Sequence, residues 1–377
     1  MKLALPVAAI SAVIAACANA PKPTGQPDAA ASSAPVASAV ASPKDAAPEA
    51  AADPAAVVAR GQKQYEKFCG FCHGAGGQGY VADEAPALAN EDFLALATDD
   101  FIRQAIVNGR PGTTMSAWSV ARGGPLSYDD ASAIVAYVRT WQKGKLDESE
   151  RAIGSSASSD RGQKLYAARC ASCHGAKGSG GKHNALSNAE LLASASDTFL
   201  ARTIERGRKG TPMPAFGETL SKDQIDDLVA LLRIWQKIPD PIPALPPKAG
   251  ALVNVVVNPR GPEPGFDAKA SFIPVDTVKQ ALDRKAAMVI IDARPPADYA
   301  RMHIAGAISV PFYEVDAYAK QIPKDRYILT YCACPHAESG RVQAALRALG
   351  YPRVAVIDEG LYPWRDRGYP VRGGAKP

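Results

Sequence analysis

Cys69-Gly70-Phe71-Cys72-His73 is answered about a hundred residues later by Cys170-Ala171-Ser172-Cys173-His174, and this repeated C-x-x-C-H pattern decides how the chain divides. Two thiols one helical turn apart can each add to a vinyl group of one porphyrin, which puts the adjacent His on the side facing the iron. Each copy is followed by a matching Gly-Thr-x-Met: Gly112-Thr113-Thr114-Met115 and Gly210-Thr211-Pro212-Met213. A thioether from the opposite side completes six-coordinate iron and raises its potential. A bare C-x-x-C also suits a dithiol pair or half a zinc site, and Met is commonly core filler. Against that, the chain has only 5 Met, and each copy holds one at the same place after its Cys-Cys-His unit. The pattern therefore predicts two covalently bound haem c groups. Cys69, Cys72, Cys170 and Cys173 would make the thioether links, with His73, Met115, His174 and Met213 as iron ligands.

The repeat extends well beyond the motif. Arg60-Gly61-Gln62-Lys63 recurs as Arg161-Gly162-Gln163-Lys164, and Tyr65 recurs as Tyr166. Apolar spacing predicts a helix over 56–68 in the first copy, with Val57, Gly61, Tyr65 and Phe68 on one side. Further helices are expected over 99–108 and 128–142, and in the second copy over 197–206 and 222–236. Both copies resemble class I cytochrome c domains, which are a few helices wrapped round one haem. The resemblance implies an all-α pair, one domain at 55–145 and the other at 155–238, whose activity is electron transfer. His183, in a glycine-rich loop, reads as a solvated loop residue, with axial ligation the minor alternative.

Ahead of the first copy, residues 1–16 are a short apolar run behind Lys2, the build of a secretory signal and too short for a lasting membrane span. Ile14-Ala15-Ala16-Cys17 resembles the lipobox of bacterial lipoproteins, which implies lipidation at Cys17 and a stable membrane anchor. Residues 17–54 are dominated by Ala, Pro and Ser and cannot build a core, so they read as a tether. At about 3.1 Å per residue in extended polyproline form, it reaches on the order of 100 Å. The expected location is exported, on the periplasmic side, anchored as a lipoprotein. A formal charge of +5 spread over 377 residues is too small to indicate nucleic acid as a partner. The expected partners are exported redox proteins that donate and accept electrons.

After residue 238 the chain turns Pro-rich, and 239–269 reads as a stiff spacer in which 252–257 adds an edge strand. Beyond it, strands at 288–292, 308–310, 327–331 and 354–357 alternate with helices at 297–302 and 339–349. That alternation predicts a parallel sheet with helices on both faces, so the whole is two all-α domains followed by an α/β domain. Ile291-Asp292-Ala293-Arg294, then His303-Ile304-Ala305-Gly306-Ala307, Tyr331-Cys332 at a strand end, and Gly360-Leu361 with Trp364 resemble the signatures of a rhodanese domain, spanning 270–377. The resemblance implies that Cys332 accepts sulfane sulfur from a small-molecule donor as a persulfide and passes it on. A loop at a helix N-terminus offers N–H groups and a dipole that favour the thiolate. The loop Cys332-Ala333-Cys334-Pro335-His336-Ala337-Glu338-Ser339 departs from the family. It is longer than usual, and Ala337 and Glu338 stand where the family and related phosphatases hold Arg, so oxyanions should bind poorly. Arg341, on the following helix, is out of register to replace it. Cys334 is a second thiol able to resolve a persulfide, and His336 is a candidate base. Two readings follow: a membrane-tethered dihaem electron carrier with an appended sulfur-binding domain, and a sulfur oxidoreductase using Cys332 with the haems as acceptors.

Overall fold

In the computed structural model the described residues are 53–80, 82, 85–246, 250–333 and 336–374. The expected signal, Cys17 and its tether, and also Cys334, lie outside them.

The first unit starts with helix α1 (Pro54–Phe68), capped by the Asp53 carboxylate, which accepts from the Ala55 amide, and running into the short turn α2 (Gly70–His73) that carries the first Cys-Cys-His. Two further helices follow, α3 (Glu91–Leu96) and α4 (Asp99–Asn108), and then α5 (Tyr128–Arg139). The second unit repeats the series as α6 (Ser159–Arg169), α7 (Ala171–His174), α8 (Ala189–Ser194), α9 (Asp197–Arg206) and α10 (Lys222–Trp235). The caps explain why α4 and α9 obey the sequence to the residue. Thr98 and Ser196 side chains accept from the third helical amide, and Gly109 and Gly207 end each helix at positive φ.

The first and last helices of each unit cross at a glycine. A Cβ on Gly61 would sit 1.9 Å from the Ala133 carbonyl oxygen, and one on Gly162 would sit 2.1 Å from that of Asp227. No side chain fits at either crossing, which is why Arg-Gly-Gln-Lys repeats.

The two units pack through equivalent elements. Asn90, the cap of α3, donates to the Lys209 carbonyl at 2.9 Å, and Asn188, the cap of α8, donates to the Pro111 carbonyl at 2.9 Å. Phe101 of α4 and Phe199 of α9 meet between them with ring centroids 4.5 Å apart. Asymmetric ties are added, among them Arg122 with Glu190 at 3.0 Å, both buried, and the Lys209 amide, which donates to Asp92 Oδ2 at 2.7 Å.

The C-terminal domain is a five-stranded parallel sheet. Its elements in chain order are β1 (Phe272–Ile273), α11 (Val275–Asp283), β2 (Val289–Asp292), α12 (Pro296–Arg301), β3 (His303–Ile304), β4 (Ile308–Ser309), α13 (Val315–Ala319), β5 (Ile328–Tyr331), α14 (Ser339–Ala348), β6 (Val354–Ile357), α15 (Leu361–Asp366) and β7 (Val371–Arg372). The spatial order is β1-β6-β5-β2-β4, with Val289, Ile290, Ile291 and Asp292 opposite Ile328, Leu329, Thr330 and Tyr331. Strands β2, β5 and β6 are buried along their whole length, as a sheet covered on both faces requires. A small antiparallel pair, β3 with β7, lies apart.

The edge strand expected at 252–257 does not form. Only Val257 bridges, antiparallel, to Met288. The expected spacer is nonetheless seated on the α/β domain from Leu252 onward: the Leu252 amide donates to Gln321 Oε1 at 2.7 Å, and Val255 and Val256 join the core. Among the described residues no helix is long and apolar enough to cross a membrane.

Candidate functional site

At each Cys-Cys-His turn the first thiol is the residue that caps the preceding helix, and its amide donates to the Tyr65 or Tyr166 carbonyl. The hydroxyl of the same Tyr donates to the carbonyl of the glycine after the motif, at 2.7 Å for Tyr65 to Gly74 and 2.8 Å for Tyr166 to Gly175. His73 Nδ1 lies 2.9 Å from the Pro86 carbonyl, and His174 Nδ1 lies 2.9 Å from that of Asn184. A carbonyl at Nδ1 fixes the tautomer with its proton there and leaves the Nε2 lone pair free for a metal. Burial lowers the pKa of both imidazoles, which favours that neutral form.

These residues fit covalent haem. Burial raises Cys69 to about 12 and Cys170 to about 11, so the free thiols stay neutral in these turns. A thioether carries no charge and costs nothing on that account. Among the described residues no three His, Cys, Asp or Glu side chains converge as a metal-ion set. The loops bearing Met115 and Met213 share one geometry. The Arg110 and Arg208 amides donate to the Met115 and Met213 carbonyls at 2.8 and 2.9 Å, and Thr113 and Thr211 hydroxyls accept from the Met amides at 3.2 Å. His183 stays in its loop, its amide on the Cys173 carbonyl at 3.1 Å and its ring 6.4 Å from that of His174.

Cys332 follows β5 at the carboxyl end of the sheet. There the connection after β2 leads out to β4 while the connection after β5 leads the other way to β6, so β2 and β5 flank the switch point where such sheets hold ligands. A buried cluster fixes the neighbouring backbone. Arg294 donates to both Asp292 carboxylate oxygens, at 2.9 and 2.6 Å, and to the Met302 carbonyl at 2.5 Å, while Tyr331 donates to Asp292 Oδ2 at 2.8 Å. The Leu361 amide donates to the Cys332 carbonyl at 3.0 Å. Gly360, at φ +76, lets the chain pass there: a Cβ would lie 2.8 Å from that carbonyl oxygen.

The thiol is 1% exposed and its Sγ is 3.3 Å from Ser339 Oγ, the first residue of α14. Sequence reasoning missed Ser339; a hydroxyl at a helix start reads as a cap until the loop geometry is known. His336, expected as a base, is engaged by Asp358 and Phe272. Its Nε2 lies 2.8 Å from Asp358 Oδ1, its ring sits 4.3 Å from that of Phe272, and its backbone adopts φ +71. Glu338 is buried beside the thiol with its Oε1 3.5 Å from Ser116 Oγ of the first unit. Burial first, then the neighbouring Cys332 and Asp298, raises it well above the usual carboxyl range.

Ser116 belongs to a broad contact that the sequence did not announce. Arg341 of α14 lies over Phe71, between the two cysteines of the first motif, at 4.4 Å, and donates to the Lys67 carbonyl at 3.0 Å. Tyr362 donates to the Thr113 carbonyl at 2.7 Å, and Tyr313 to that of Gly123 at 2.9 Å. Phe312 stands 6.2 Å from Phe68, 6.0 Å from Phe71 and 6.1 Å from Trp118, ring centre to centre. The α/β domain thus grips the first unit at both its attachment turn and its Met115 loop. The second unit has Ser172, Pro214 and Phe216 at the positions of Phe71, Ser116 and Trp118, and its Pro214 and Ala215 are exposed where Ser116 and Ala117 are buried.

Two helical units bearing thioether-type Cys-Cys-His turns, joined to a parallel sheet with a thiol at its switch point, define a cytochrome c coupled to a sulfur-handling fold. Residues 56–138 and 157–232 match the family model of cytochrome c oxidase, cbb3-type, subunit III, and residues 274–367 match that of the rhodanese-like domain. The cbb3-type cytochrome c oxidase subunit FixP of Azorhizobium caulinodans is 34% identical over 177 residues, 45% of this chain and 57% of that one. The corresponding subunit CcoP of Azospirillum brasilense is 28% identical over 191 residues, 46% and 60% respectively. A sulfurtransferase of Allochromatium vinosum is 30% identical over 96 residues, 26% of this chain and 89% of that one. The chain spans under two thirds of the length of the two oxidase subunits. It belongs to the rhodanese-like family through its C-terminal domain, with cbb3-type cytochrome c domains, which imply covalently bound haem c, in its N-terminal half.

Proposed function

We propose that this is a dihaem electron-transfer protein in which the Cys332 site and the first cytochrome unit work as one body. The observation that carries this reading is the grip of the α/β domain on the Cys69–His73 turn and the Met115 loop. Cys69, Cys72, His73 and Met115 hold the first haem; Cys170, Cys173, His174 and Met213 hold the second. When bound, each haem supplies a one-electron iron couple held between His and Met. Cys332 is the sulfur-accepting nucleophile, its Sγ 3.3 Å from the hydroxyl of Ser339, the first residue of α14. Cys334 is the resolving thiol. Lipidation at Cys17 after removal of residues 1–16 anchors the exported chain on the periplasmic side, and residues 17–54 form its tether. The domains run 55–145, 155–238 and 270–377, and exported redox proteins donate and accept the electrons.

A plain sulfurtransferase with no electron exchange is the competing reading, supported by the Cys332–Ser339 geometry alone. Intact mass spectrometry of exported protein should show two added haems and a lipidated N-terminus. Addition of a persulfide donor to oxidised protein should reduce both haem irons, the two electrons coming from coupling of the Cys332 persulfide with a second persulfide into a tetrasulfide, at a rate that Cys332→Ala abolishes. Equal rates in the two proteins would end the coupled reading, and sulfur transfer without any spectral change would favour the sulfurtransferase.

A further inference from the structure

Among the described residues, the two guanidinium groups at this end of the sheet, Arg294 and Arg341, are engaged with other partners. Arg294 spends its guanidinium on Asp292 and the Met302 carbonyl. Arg341 lies over Phe71 and bonds the Lys67 carbonyl. What stands beside the thiol instead is Glu338, 4% exposed, on the residue before the Ser339 hydroxyl that touches Sγ. The groups facing Glu338 are Cys332 from its own loop, Asp298 from α12, the Asp292–Arg294 pair at the end of β2, Tyr313 after β4, Arg341 of α14 and the Ser116 hydroxyl of the first unit. With no free guanidinium among them, a dianionic oxyanion such as thiosulfate would enter unpaired, and its sulfite leaving group would depart unpaired.

We propose that the Cys332 site takes organic persulfides, and that Glu338 is the general acid that protonates the departing thiol. This rests on the reading of Cys332 as the sulfur-accepting nucleophile. The Cys332 thiolate attacks the terminal sulfur of R–S–S⁻. The donor S–S bond breaks, a new S–S bond forms to Cys332, and the R–S⁻ fragment takes the Glu338 proton. The balance is Cys332–S⁻ + R–S–S⁻ + Glu338–COOH giving Cys332–S–S⁻ + R–SH + Glu338–COO⁻, with no external oxidant or reductant. Burial keeps that carboxyl protonated at pH values where a solvated one has lost its proton. The Ser116 hydroxyl, reaching in from the first cytochrome unit, lies 3.5 Å from its Oε1 and also bonds Asp298.

The test uses the full haem-loaded chain and reads gain of one sulfur atom at Cys332 by mass spectrometry, with thiosulfate or N-acetylcysteamine persulfide as the probe. The persulfide should load Cys332 about a hundredfold faster than thiosulfate, and Glu338→Gln should slow persulfide loading by a similar factor. A persulfide of an electron-poor aryl thiol, whose leaving group needs no proton, should load the Glu338→Gln and native proteins at equal rates. Glu338→Asp should restore part of the loss with the alkyl donor. Thiosulfate loading as fast as the persulfide would overturn the donor class. A Glu338→Gln defect of the same size for alkyl and aryl donors would overturn the general-acid role and mark Glu338 as merely structural. If no donor loads a Cys332 that iodoacetamide still alkylates, the nucleophile reading falls, and this inference falls with it.

Discussion

Truncation of Phe312 to Ala should loosen the α/β domain from the first cytochrome unit without unfolding either. Phe312 is 9% exposed, and three of its aromatic neighbours, Phe68, Phe71 and Trp118, belong to the other domain. Each such pair contributes about 0.5–1.5 kcal/mol beyond area burial, and removal of a buried Phe side chain costs about 3–5 kcal/mol in all. Among the described residues its ring and cation contacts inside its own domain are Tyr313 and Arg341, against three rings across the contact, so a large share of that cost falls on the contact. A loss of about 3 kcal/mol multiplies the undocked fraction by roughly two powers of ten. Amide hydrogen exchange on the intact chain reads this directly. Segments 115–119 and 338–342 should exchange about a hundredfold faster in Phe312→Ala, while β2, β5 and β6 in the sheet and α6 and α10 in the second unit keep their native rates. Unchanged exchange in both segments refutes the reasoning. So does equal acceleration across the sheet, which would make Phe312 a support of its own domain rather than of the contact.

Further outcomes follow from other particulars. Arg122→Met should cost about 3–5 kcal/mol by leaving Glu190 buried without its partner, whereas a double replacement of Arg122 and Glu190 by apolar residues should be close to neutral; thermal melts of both proteins check this. Gly61→Ala or Gly162→Ala should force its helix pair apart at the 1.9 Å or 2.1 Å approach, at a cost of about 1–3 kcal/mol or more, and lower the yield of haem in the affected unit alone, measured by visible absorption per chain. Glu338 also makes stability depend on pH. Its folded pKa is raised, so its contribution is fully present below the unfolded value near 4.5 and is lost as pH climbs from there toward the folded value. Glu338→Gln should therefore flatten the decline of melting temperature with pH over that window, and an unaltered slope would assign the decline to another group.

The parts that sequence could show are those set by local chemistry. Helices α4 and α9 were legible because Thr98 and Ser196 cap them and Gly109 and Gly207 stop them within one short stretch. Strand β6 was legible because Val354 to Ile357 is uniformly apolar. Helices α3 and α8 escaped notice, since six residues are too few to establish a 3.6 period, and their Asn caps looked like loop residues. The candidate haem ligands came from spacing alone, whereas the partners that orient them, the carbonyls of Pro86 and Asn184, are backbone atoms with no sequence mark. At the thiol, Cys332 and the unusual Glu338 were visible in the chain. That Glu338 meets Ser116 was not, because residues 222 positions apart are joined only by domain docking. The partner of His336, Asp358, was not legible either, because a left-handed backbone at φ +71 sets the direction of its imidazole and leaves no mark in the sequence.

The reciprocal reach of Asn90 and Asn188 to each other's unit is the signature of an isologous interface, in which one surface serves as both halves of a handshake. A single unit would carry both the donor and the acceptor, and so would be competent to pair with its own copy. Within one chain that pairing is intramolecular, and the two copies differ where the third domain docks: Phe71, Ser116 and Trp118 receive it in one, while Ser172, Pro214 and Phe216 stand there in the other, with Pro214 exposed.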